Sequence, residues 1–384
     1  MGIFVKYVMI KRALTDVISG VLGDGKVIII YGPRQTGKTT LLKENFEDKD
    51  TLWMDGDDFD VRELLTHTTS TALSNLLQGK KRLIIDEAQH IPGIGHTLKQ
   101  IHDHVKGIQV LVTGSSSFEI SSIANEPLTG RKWEFHLYPF SVMELVSHQG
   151  LLAESRLLEQ RLIYGFYPEI VTHPADAQKR LVSLVNSYLY KDILKWQEIK
   201  KPVQLEKLLQ ALAFQVGHEV SFNELAQLTG LTNETVQRYI DLLEKSFVIF
   251  SLTSFSRNLR NEIKRGKKIY FYDNGIRNAI IKQFQPLALR NDIGPLWENF
   301  LIMERLKYKS THQLFTNDYF WRTHAQQELD FIEEYNGLIH AFEFKWNERK
   351  KKSISLSFAS AYPSHTYHVI SRQNYMDFIT GKLD

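Results

Sequence analysis

Gly32-Pro33-Arg34-Gln35-Thr36-Gly37-Lys38-Thr39, followed by Thr40, is the stretch that decides the fold. It has the form GxxxxGK[ST]. An apolar run, Val27-Ile28-Ile29-Ile30-Tyr31, precedes it, and an amphipathic stretch, TTLLKENF, follows. Strand, loop and helix in that order are the setting the pattern requires. Glycines let the loop wrap closely, so its backbone N–H groups point inward at phosphate oxygens. The helix N-terminus adds partial positive charge. Gly32 to Thr40 are therefore predicted to bind a nucleotide, with Lys38 reaching the β- and γ-phosphates. The Thr39 hydroxyl is predicted to ligate Mg²⁺. The plain alternative is a glycine-rich turn with no ligand, and the flanking strand and helix weigh against it.

Outward from the loop, a second apolar run ends in two carboxylates: Arg82-Leu83-Ile84-Ile85-Asp86-Glu87. Asp86 is predicted to hold Mg²⁺ through water. Glu87 is placed to polarise an attacking water as general base. A third run, Val110-Leu111-Val112, ends in hydroxyls at Thr113, Ser115 and Ser116. Either Thr113 or Ser115 is the candidate to orient that water. Apolar strands alternating with amphipathic stretches predict an α/β fold with a parallel sheet covered on both faces. A further strand, KWEFHLYPF, closes this section near residue 140.

The segments GPRQTGKTTLL (32–42), LIIDEAQHIP (83–92), VTGSSS (112–117), LTGRKWEFHLYPFSVMEL (128–145) and YGFYPEIV (164–171) together resemble a prokaryotic family of AAA-type ATPases. Those proteins carry a C-terminal domain of unknown function, and the resemblance spans nearly the whole chain. It implies ATP and Mg²⁺ as ligands, with ADP as product. In such ATPases an arginine often completes the γ-phosphate site, commonly from a neighbouring subunit. Arg131, in Thr129-Gly130-Arg131, is the position chosen for it, which would imply a homo-oligomer. A structural salt bridge is the equal alternative for Arg131.

Beyond residue 141 the pattern turns helical, punctuated by Pro168, Pro174 and Pro202. From 217, two short helices, capped at the second by Thr232 or Asn233, precede the β-rich segments FVIFSLTSF and KKIYFYD. That is the winged-helix order. Asn233, Glu234, Gln237 and Arg238 are the candidate recognition-helix residues. Arg257, Arg260, Lys264, Arg265, Lys267 and Lys268 face Glu262 alone, a local charge of +5 where the wing falls. These six are the candidate contacts to double-stranded DNA. The run Glu348-Arg349-Lys350-Lys351-Lys352 would extend that basic track.

The C-terminal part holds Asp330 in ELDFI, then Glu343 and Lys345 in FEFKW. A hairpin turn at Asn336-Gly337 would bring them to one end of two strands. This set looks like the PD-(D/E)XK nuclease core, with Glu298 as the extra acid. An active core would hydrolyse phosphodiesters, with Asp330 and Glu343 on Mg²⁺ and Lys345 at the nucleophile. The alternative is an intact fold that does not cut. His90, His96, His102 and His104 lack one-face spacing and are not read as a zinc site. Trp297, Trp321 and Trp346 are read as core residues.

The four segments expected are an ATPase core (1–172), a helical lid or linker (173–216), a winged helix (217–285) and a nuclease-like domain (286–384). The 384 residues suit several domains. Hydrophobic residues at 43% and charged residues at 24% are those of a globular chain. There are 47 Lys and Arg against 44 Asp and Glu, a net charge of +3. The absence of cysteine excludes disulfides, thiol nucleophiles and Cys-ligated metals. It points to the cytoplasm. No run suits a membrane span or signal peptide, and Lys6 breaks the myristoylation pattern. Three function classes stay open: an ATP-powered enzyme acting on DNA, a nucleotide-switched module that binds a protein partner, and a winged-helix regulator.

Overall fold

β1 (Val27–Tyr31) is buried at every position. A strand rich in β-branched residues behaves this way when both faces of its sheet are covered. It lies between β4 (Gln109–Gly114) and β5 (Lys132–His136), parallel to both. β3 (Arg82–Asp86) and β2 (Thr51–Asp55) extend the sheet beyond β4, giving the order β2-β3-β4-β1-β5. The helix Lys38–Phe46 buries Leu41, Leu42 and Phe46. They pack on Ile28, Ile30, Ile84 and Leu111. Because the strands run the same way, the residues following β1, β3 and β4 meet at one edge of the sheet. Ligands bind at that edge in open parallel sheets.

The computed structural model describes residues 9–115, 128–187, 199–256, 266–323, 325–347 and 353–383. The chain divides into two compact units, Met1–Leu157 and Leu158–Asp384. The first therefore ends at Leu157 rather than at 172. Its last section is anchored by a capping box. Ser141 Oγ accepts from the Glu144 backbone N–H, and the Glu144 carboxylate accepts from the Ser141 N–H. Such a cap stabilises a helix by about 1 kcal/mol.

The second unit opens with the helices Leu158–Tyr164, Pro168–Thr172 and Ala177–Leu184. The Phe166 backbone N–H, in the YGFYPEIV segment, donates to Asp273 Oδ2 at 2.7 Å. Burial pushes Asp273 up to about 6, opposed by that bond and by Lys307. Next come the helix Pro202–Phe214, β6 (Glu219–Val220) and the helices Phe222–Thr229 and Asn233–Lys245. Thr232, of the two candidates, is the N-cap of the last; its side chain accepts from Thr235 N–H. β7 (Ile249–Ser254) and β8 (Lys267–Phe271) pair antiparallel.

β9 (Asn317–Arg322), β10 (Glu328–Tyr335), β11 (Leu338–Phe344) and β12 (His365–Ile370) follow the long helix Ile293–His312. Asn336 and Gly337 form the two-residue turn between β10 and β11, with φ of 50° and 80°. Both values are the left-handed ones that this hairpin turn requires. β7 pairs parallel with β9 through Thr253–Tyr319 and Ser254–Phe320. One seven-stranded sheet results, in the order β12-β11-β10-β9-β7-β8-β6. It runs through the expected boundary at 285/286, so strands from both of those segments share one sheet. Among the described residues no helix is long and apolar enough to cross a membrane.

Candidate functional site

The Gly32–Thr39 loop is tied by its own side chains. Lys38 Nζ donates to the Gly32 carbonyl at 2.9 Å and to the Pro33 carbonyl at 2.8 Å. Thr36 Oγ1 donates to the Pro33 carbonyl at 2.9 Å. Gly37 has φ 92°, a left-handed value suited to glycine, at the point where the helix begins. Gln35 and Thr40 are exposed, whereas Thr36 and Lys38 are buried. Burial pushes the Lys38 ammonium down to about 8, opposed by Glu87 and Asp86 and assisted by Arg34.

The carboxylates of the second motif arrive at the same place. Thr39 Oγ1 donates to Asp86 Oδ2 at 2.7 Å. Thr113 Oγ1 donates to the other oxygen, Oδ1. The Glu87 backbone N–H donates to Thr113 Oγ1 at 3.0 Å. Thr113 thus joins the two acidic residues, while Ser115 contacts Gln89 Nε2 at 3.0 Å. The two hydroxyls left open by the sequence have different partners. The pairing of a hydroxyl with a carboxylate oxygen at Thr39 and Asp86 is a hard-oxygen donor set, the kind Mg²⁺ takes.

Sequence reasoning missed Arg12, whose partners lie far along the chain. Its Nη1 donates to the Thr36 carbonyl at 2.6 Å, and its Nη2 to the Tyr138 carbonyl at 2.6 Å. Its Nε donates to Glu144 Oε1 at 3.0 Å. Arg12 is 9% exposed and Glu144 8%, so the pair is buried. The planar guanidinium makes the three bonds from three nitrogens held in a fixed fork, a spread that a single ammonium nitrogen does not offer. Arg12→Ala leaves Glu144 buried without its cation. The expected loss is about 3–5 kcal/mol of stability. Urea unfolding of the two proteins measures it, and equal midpoints would contradict this role.

Arg131 makes an intrachain salt bridge. Its Nε donates to Asp103 Oδ1 at 3.0 Å, and Asp103 also pairs with His102. His90 pairs with Asp57. Trp297 and Trp321 are buried, and Trp346 meets Trp297 edge-on with centroids 5.3 Å apart.

The second unit contains a cleft of about 650 Å³ lined by Glu298, Glu328, Asp330, Glu343 and Lys345, with His218 beside them. The Asp330 Oδ2 accepts from the Phe344 backbone N–H at 2.7 Å, tying β10 to the end of β11. Lys345 Nζ lies 2.7 Å from Glu343 Oε1. Burial pushes Asp330 up to about 7, assisted by Glu298 and opposed by Lys268. Asp330, Glu343, Lys345 and Glu298 are therefore neighbours in space.

Lys268 corrects the sequence expectation. It was expected among the DNA contacts, but it is 1% exposed. Its Nζ sits 3.1 Å from Glu298 Oε1 and 2.5 Å from Glu328 Oε1. A buried ammonium between two carboxylates is not available to a phosphate backbone. Tyr270, two residues on along β8, donates from its OH to Glu298 Oε1 at 2.6 Å. Lys267 is half-buried. Arg257, Arg260, Lys264 and Arg265 lie outside the described residues, as does the run from Glu348 to Lys352. On the helix Asn233–Lys245, Asn233, Glu234, Gln237 and Arg238 are exposed while Val236, Tyr239 and Ile240 are buried.

Among the described residues, no group of three His, Asp or Glu side chains is arranged to hold a metal ion. In the cleft, Glu298 is engaged by Lys268 and Tyr270, and Glu343 by Lys345. Two of the cleft carboxylates therefore already have a chain lysine beside them.

Residues 24–146 match a family described as an AAA domain. Residues 155–287 and 293–380 match two families described as domains of unknown function. An uncharacterized protein of Mycobacterium tuberculosis is 28% identical over 87% of this chain and 73% of its own. An uncharacterized protein of Methanocaldococcus jannaschii is 23% identical over 80% of this chain and 72% of its own. Among solved structures, the Walker-type ATPase of Pyrococcus abyssi aligns with a TM-score of 0.53 at 14% identity. That alignment covers 71% of this chain and 96% of the other. The likeness is one of fold. With the AAA-domain match, it supports an AAA-type ATPase with a P-loop α/β core.

Proposed function

We propose that the first unit hydrolyses ATP with Mg²⁺ at the Gly32–Thr40 loop. One observation carries this reading: Lys38, Thr39, Asp86 and Thr113, from three separate segments, converge at one sheet edge. Lys38 now rests on the Gly32 and Pro33 carbonyls, and phosphate oxygens are better partners for its charge. Thr39 and Asp86 would hold the metal ion. Mg²⁺, when bound, neutralises charge on the β- and γ-phosphates. Glu87 accepts a proton from the attacking water, and Thr113 holds Asp86 and the Glu87 backbone in register. Phosphate release from Mg²⁺-ATP by the purified chain tests this reading directly.

The second unit, on this reading, works with DNA. The polar exposed face of Asn233–Lys245 and the β7–β8 hairpin together suit a winged helix. Its phosphate contacts would weaken steeply with salt. The nuclease-like cleft is read as non-cutting, because chain lysines already neutralise its carboxylates. Supercoiled plasmid incubated with the protein and Mg²⁺ or Mn²⁺ is therefore expected to stay intact. Nicking that disappears in Asp330→Asn would overturn this part. Salt-insensitive or absent DNA binding would favour a nucleotide-switched protein partner instead.

A further inference from the structure

We propose that Gln89 is a positioning residue for Glu87, holding the carboxylate by bridging it to Ser115 at the end of β4. The inference rests on the ATP-hydrolysing reading above and adds a residue to it. Gln89 lies in the short turn Ala88–His90, directly after Glu87, and is buried. Its Nε2 donates to Glu87 Oε2 and also to Ser115 Oγ at 3.0 Å. Chemistry fixes which way the amide faces. An ionised carboxylate only accepts, so the NH₂ must meet it and the carbonyl must turn away.

The turned-away atom is Gln89 Oε1, which is buried without a hydrogen-bond partner among the described residues. Leaving an amide carbonyl in that state is unfavourable, and an apolar side chain of the same length would avoid it. The grip on Glu87 accounts for the amide. Glu87 is held from its backbone as well. Its φ of 46° is left-handed, uncommon for a residue other than glycine. Its N–H is fixed on Thr113 Oγ1 at 3.0 Å. The end of β4 therefore sets the base twice, through Thr113 at the backbone and through Ser115 and Gln89 at the carboxylate.

The test compares wild type, Gln89→Met, Ser115→Ala and Ser115→Thr in the full chain. Gln89→Met keeps the length and removes both the grip and the orphaned carbonyl. Turnover should fall about 100-fold, the scale of a misplaced catalytic group. ATP affinity should stay unchanged, since Glu87 is not a binding group. Ser115→Ala should move turnover the same way by less, and Ser115→Thr, which keeps the hydroxyl, should restore it. In a Glu87→Gln background, Gln89→Met should add no further loss. Equal turnover in wild type and Gln89→Met would overturn the inference while leaving the ATPase reading intact. A wild type without turnover would instead remove the reading on which it rests. Should Gln89→Met not fold, the Ser115 pair decides: reduced turnover rescued by Thr supports the inference, and unchanged turnover rejects it.

Discussion

Lys38→Ala is expected to abolish ATP binding and turnover together. Lys38 is the cation buried beneath the loop, at 4% exposed, and it already makes two charge-assisted bonds inside it. Alanine leaves the Gly32 and Pro33 carbonyls without that donor and leaves the phosphates without their cation. Removing such a clamp costs on the order of 10²–10³ in rate, beside the lost affinity. Titration with a fluorescent ATP analogue measures binding, and phosphate release measures turnover. The chain should still fold, because Leu41, Leu42 and Phe46 carry the helix packing. Unchanged binding in Lys38→Ala would remove the loop from the site.

Glu87→Gln is expected to separate the two steps. The substitution preserves shape and can offer an amide oxygen to Gln89 Nε2, so the local contacts survive. It removes the carboxylate proposed above to take the proton. ATP should bind as in wild type, and turnover should fall by on the order of 10²–10⁴. The protein should accumulate with ATP bound, which filter retention of radiolabelled ATP reads directly. A parallel loss of binding would place Glu87 in nucleotide recognition rather than in the chemistry.

The convergence of the Gly32–Thr39 loop with Asp86 and Thr113 was legible because its parts are local patterns. Gly32–Thr39 follows a buried strand, and Asp86 and Glu87 end another. Strand, loop and helix then follow from side-chain period and glycine placement. Arg12 was not legible, since nothing near residue 12 signals a bond to Tyr138 or Glu144. Such a partner exists only once β1, β5 and the Ser141 cap are assembled. Gln89 stands two residues from Glu87, yet its meaning comes from Ser115, set beside it by the packing of β3 against β4.

In the second unit the error at Lys268 has a simple cause. A basic run in sequence reads as one charged surface, but successive residues of a strand face opposite ways. β8 turns Lys268 toward Glu298 and Glu328, while Lys267 lies on the other face. The two-residue turn at Asn336-Gly337 was readable from its residue types. The parallel pairing of β7 with β9 was not, because it joins segments with no local sequence link. That pairing brings β8, and hence Lys268 and Tyr270, into the sheet that carries Asp330 and Glu343.

The most direct measurement is phosphate release from Mg²⁺-ATP by the purified chain, wild type against Glu87→Gln, with ATP binding measured on the same samples. The expected result is turnover by wild type, and binding without turnover by the variant. Equal phosphate release from both proteins would contradict it.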